Sequence, residues 1–165
     1  MTPIDWLRAN APGFDQLPEA DREAIMHFSL LWSFFEARAL GSAASANAIV
    51  ALVQGWEDDG RLDVAPFDQS LSYFKDRYFQ NGAATPNFQG LALRPNDNPA
   101  TVEAVLKGEN TSTRDCVAAL LIVVYRLRNN LFHGVKWAYG IRDQLSNFNN
   151  ANATIMAALE MHDFL

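Results

Sequence analysis

The chain has 165 residues, 49% of them hydrophobic, which suits one globular domain with a real core and excludes disorder along the whole chain. The longest apolar run, Val117 to Tyr125, is nine residues against the roughly 20 that a bilayer span needs, so no membrane helix is expected. A formal net charge of −6 excludes broad, nonspecific nucleic-acid binding over the whole surface.

The opening residues, Met-Thr-Pro-Ile-Asp-Trp, have neither a cationic nor an apolar leader region, so no secretory leader is expected. A short helix near Ile4 to Asn10 is expected within an N-terminal extension, residues 1–17. A long helix follows over Pro18–Leu40. Pro18 suits its first turn, and Ile25, Phe28, Trp32, Phe35 and Ala39 repeat every three or four residues as one apolar stripe. A second stripe predicts a helix over Ser45–Asp59, and a third over Pro66–Gln80, stopped by Asn81-Gly82. Residues 82–98 read as a long loop. Asn98 and Pro99 then start a short helix that ends near Gly108. Ser112-Thr113-Arg114-Asp115 reads as a capping box for the most apolar helix, Thr113–Phe132, closed by Gly134. The last helix is expected over Tyr139–His162, weakened in its middle by Asn147, Asn149, Asn150 and Asn152.

Ala and Leu number 42 against 15 for Val and Ile, which favours helix over strand. The expected fold is all-α: an antiparallel bundle over residues 18–165, with four to five main helices plus short accessory ones. The single cysteine, Cys116, permits no internal disulfide, and a cytoplasmic setting is the simplest expectation. Cys116, His27, Trp32, Trp56 and Phe74 read first as packing residues. No metal-ligand spacing, nucleophile elbow or phosphate-binding glycine loop is visible, and no cofactor is expected.

The charge is unevenly spread. Residues 1–113 hold 8 basic and 15 acidic side chains, residues 114–142 hold 5 and 1, and residues 143–165 hold none and 3. Within the one basic stretch lies Tyr125-Arg-Leu-Arg-Asn-Asn-Leu-Phe-His-Gly134. Helical phase puts Val117, Leu121, Val124, Arg128 and Leu131 on the core-facing stripe and Arg126 on the other side. An arginine entering a bundle must meet an anion or reach a cleft. Asn129 and His133 share the adjacent face. Arginine grips phosphate in a fork and histidine titrates near neutrality, so the set suits phosphoryl chemistry. The same residues also fit a structural role, with Arg128 paired to a carboxylate of the first long helix and His133 capping the helix end.

Arg128-Asn129-Asn130-Leu131-Phe132-His133 resembles the R-N-x-x-x-H signature of the HEPN superfamily (higher eukaryotes and prokaryotes nucleotide-binding). The segment Phe28 to Arg38 resembles the aromatic, Glu-bearing first long helix of that family. The resemblance implies a helical bundle acting as a homodimer through the face bearing Arg128 and His133. It also implies a metal-independent endoribonuclease in a toxin–antitoxin, phage-defence or RNA-processing role, with an antitoxin as a further partner. Arg128 would stabilise the phosphorane charge, Asn129 would orient the phosphate or His133, and His133 would act as acid or base. Glu36 would partner Arg128. Arg126, Lys136, Trp137, Tyr139 and Arg142 are candidate nucleic-acid contacts. Some members carry a modifiable tyrosine two residues after the histidine; Val135 stands there in this chain, so control by that modification is not expected. The alternative is a catalytically inactive module that binds a nucleotide, RNA or a protein partner.

Overall fold

The computed structural model describes residues 1–134 and 144–162. It is an all-α helical bundle. Among the described residues the α-helices are α1 (Pro3–Asn10), α2 (Glu19–Ala39), α3 (Ala46–Asp58), α4 (Asp68–Tyr78), α5 (Pro86–Leu91), α6 (Pro99–Lys107), α7 (Thr113–Phe132) and α8 (Leu145–Met161). A 3-10 turn, Ala65–Phe67, leads into α4. None of the described helices is long and apolar enough to cross a membrane.

The long helices form where the apolar spacing requires them. Phe28, Trp32 and Phe35 of α2 are buried, as are Ile49, Val53 and Trp56 of α3. Pro18 is the residue before the first turn of α2, and the Ser45 hydroxyl accepts the Ala48 amide at 3.1 Å to start α3. The Ser112 hydroxyl accepts the Asp115 amide to start α7. The box is not reciprocal, because Asn110 supplies the other half: its Oδ1 accepts the Ser112 amide and its Nδ2 donates to the Asp115 carboxylate. Asn98 starts α6 in the left-handed region, without a side-chain cap bond. Phe14 and Leu17, from the expected N-terminal extension, are buried in the same core as the long helices.

α2 lies along α8, while α7 packs against α3, α4, α5, α6 and α8. α7 is therefore the central helix, and every residue from Cys116 to Val124 is buried. Burial also raises the Cys116 thiol above its ordinary range, as expected of a packing residue.

One expectation needs correction. Residues 82–98 are not a structureless loop. Asn81-Gly82, with φ of 52° and 76°, makes the two-residue turn of a hairpin that pairs β1 (Phe79–Gln80) with β2 (Ala83–Ala84). Positive φ at both central positions is what an Asn-Gly turn supplies. α5 follows, with Phe88 against the Phe79 ring at 4.8 Å and Leu91 buried. The asparagines expected to weaken the last helix lie within a continuous α8, and two of them gain partners on other helices. Asn147 accepts the Tyr73 hydroxyl at 3.0 Å, and Asn152 donates to the Ala24 carbonyl at 3.2 Å. Buried amides gain partners on neighbouring helices, which offsets their weak helix propensity. The expected start of this helix at Tyr139 lies outside the described residues.

Candidate functional site

The candidate site is built at the C-terminal end of α7. The last turn of a helix leaves carbonyls without partners along the helix, and here the chain closes on itself. His133 is the C-cap; its backbone amide donates to the Asn129 carbonyl at 2.9 Å. Gly134 follows at φ 73°, where glycine avoids the strain a side chain would meet, and its amide donates to the Leu131 carbonyl. The His133 residue is exposed.

Arg128 lies five residues before His133. Its side chain is 30% exposed, and its guanidinium is held by three contacts. Nη1 donates to Asn129 Oδ1 at 3.0 Å, and Nη2 lies 3.7 Å from Glu36 Oε2. Its Cζ stands 5.2 Å from the centre of the Phe132 ring. Nε is buried without a hydrogen-bond partner among the described residues. Glu36 is held in turn. Trp32 Nε1 donates to its Oε2 at 2.8 Å, and the Ala44 amide to its Oε1 at 3.2 Å. The carboxylate thereby links α2, the α2–α3 connection and α7. The structure brings Arg128, Asn129 and Glu36 together, with His133 at the same helix end.

Arg126 is placed otherwise, and the helical-phase reading of it is corrected. It is buried, with 4% of its side chain exposed, beside an equally buried Asp97 at 3.5 Å. It also donates to the Leu91 carbonyl and to Asn130 Oδ1, both at 3.5 Å. Burial lowers its pKa from the ordinary arginine value, and the Asp97 charge opposes that shift. Arg126 is thus not a surface contact for nucleic acid. The one-stripe expectation failed because α7 has neighbours on several sides, so the side away from α2 is also interior. Arg128, placed on the core stripe by phase, is the more open of the two.

Asn130, Asp97, Trp32 and Phe132 were missed as partners of this region. Asn130 sits four residues after Arg126, and Trp32 four before Glu36, so both spacings were visible. Asp97 comes from the misread 82–98 segment and carried no such signal. Lys136, Trp137, Tyr139 and Arg142 lie outside the described residues.

No protein-family model, curated protein or solved structure matches this chain.

Among the described residues no group of three or more His, Cys, Asp or Glu side chains is arranged to hold a metal ion. Beside the helix end runs an open groove of about 680 Å³ between α1, α2 and α7. Ile4, Leu7, Ile25, Met26, Leu131 and Phe132 supply much of its apolar lining, with Arg8, Arg22, Glu19 and Glu23 among the charged residues. Phe132 is 56% exposed.

Proposed function

We propose that the chain is a HEPN-type, metal-independent endoribonuclease whose reacting groups are Arg128, Asn129 and His133. The observation that carries the reading is the pairing of Arg128 with Asn129 at 3.0 Å, one turn before an exposed His133, in an R-N-x-x-x-H sequence. Arg128 is partly open and permanently charged, so an RNA phosphate can reach it and compete with Glu36 for the fork. The 2′-hydroxyl oxygen attacks phosphorus, and the bond to the 5′-oxygen breaks. The 2′-proton passes to a base, and the leaving oxygen gains a proton. His133 serves as acid or base in that exchange, and Arg128 stabilises the phosphorane charge. The products are a 2′,3′-cyclic phosphate and a 5′-hydroxyl. Glu36, fixed by Trp32 and the Ala44 amide, orients Arg128.

The resemblance adds a homodimer through the Arg128–His133 face and an antitoxin partner in a toxin–antitoxin or phage-defence setting; the single cysteine adds a cytoplasmic location. Purified protein incubated with total RNA in EDTA is expected to cut it. His133→Ala is expected to slow cutting by about 10²- to 10⁴-fold and leave the melting temperature unchanged. Cutting that persists in His133→Ala removes that residue from the chemistry.

One observation favours a second reading, an inactive module that binds a nucleotide, RNA or a protein partner. The Glu36 carboxylate beside Arg128 partly cancels the charge that an anion would seek. That reading expects no RNA turnover, with nucleotide- or RNA-dependent thermal stabilisation that Arg128→Ala removes.

A further inference from the structure

We infer that Phe132 is a stacking platform for an unpaired nucleobase of single-stranded RNA, with the neighbouring groove taking the rest of that base. The inference rests on the RNA reading of the site above. Phe132 lies four residues after Arg128 and directly before His133, so it stands at the proposed point of cleavage. Trp32, Trp56 and Phe74 are buried, whereas Phe132 is 56% exposed. Arg128 Cζ sits 5.2 Å from its ring centre. A partly exposed cation over an exposed aromatic ring is an arrangement that can hold a nucleotide by its two chemically different parts. The charge goes to Arg128 and the base to Phe132.

The groove supports the division. Its volume, about 680 Å³, has ample room for a base, and Ile25, Met26 and Leu131 beside Phe132 give it an apolar wall. Its charged lining residues are balanced, Arg8 and Arg22 against Glu19 and Glu23, so it offers no net attraction for a run of phosphates. An uncharged, flat, apolar group fits it better than a phosphate backbone does. A base paired within a duplex keeps its faces covered and cannot stack there, so the platform selects single strands.

The test uses the full chain and a fluorescein-labelled oligoadenylate of about 12 nucleotides with 2′-O-methyl groups, which cannot be cut by 2′-hydroxyl attack. Fluorescence anisotropy is expected to show binding by the wild type and weaker binding by the duplex of the same sequence. Phe132→Ala is expected to weaken single-strand binding about tenfold, within the range for loss of one stacked base. Phe132→Trp should retain affinity, and Phe34→Ala, at another exposed aromatic, should leave it unchanged. Equal affinity of Phe132→Ala and wild type overturns the inference, as does failure of the wild type to bind. So does an affinity loss that accompanies conversion of a dimer to a monomer in sedimentation, since the face would then join two copies. Binding that depends on Phe132 without turnover of unmodified RNA would defeat the ribonuclease reading and leave the platform standing.

Discussion

Arg126 and Arg128 are separated by one residue on α7 and point about 200° apart. On one side, Arg126 and Asn130 hold the carbonyl end of α5 and the turn that carries Asp97. Arg126, Asn130, Leu91 and Asp97 are all buried, and the short α5 gains donors for carbonyls that its own six residues cannot pair. On the other side, Arg128 meets Glu36, Asn129 and Phe132 at a partly open surface. The comparison teaches that residue type and local sequence do not assign a role. What separates a fastening arginine from a candidate reacting one is whether its fork is fully enclosed or still reachable by a further anion.

The largest expected effect lies on the enclosed side. Asp97→Ala leaves Arg126 as an uncompensated buried charge, and a loss of about 3–5 kcal/mol is expected. In a chain of this size that lowers the melting temperature by about 10 °C or more, read by calorimetry. A melting temperature within a degree or two of wild type would break the distinction, because Arg126 would then be no more fixed than Arg128. Asn130→Ala is expected to cost less, about 1–3 kcal/mol, as the Gly90 and Leu91 carbonyls lose the donor it provides at 3.2 Å. Hydrogen exchange of the 86–98 segment should quicken in the same variant, which would sharpen the assignment of that side to fastening.

Much of this architecture could be read in the residues. Stripes at three- and four-residue spacing in α2, α3 and α7 mark long helices because each needs one buried face. Pro99, Gly108, Ser112 and Gly134 mark ends because their backbone or hydroxyl chemistry suits a terminus. The 79–98 region escaped because two-residue strands and a six-residue helix are too short to show a period. The roles of Asn147 and Asn152 in α8 escaped because their partners, Tyr73 and Ala24, lie 74 and 128 positions away in sequence. The candidate site was legible as Arg128, Asn129 and His133 with Glu36 as partner. The role of Arg126 was not, since its burial depends on helices packed around α7 that a single-helix phase does not contain.

The comparison comes down to Arg128→Ala, assayed for stability and for RNA cleavage in EDTA on the same preparation. Its part-exposed pairing with Glu36 predicts a stability loss under about 1 kcal/mol. Its proposed work on the phosphorane predicts a cleavage rate lower by about 10²- to 10³-fold. A folded Arg128→Ala variant that cuts RNA at the wild-type rate would contradict the account at its centre.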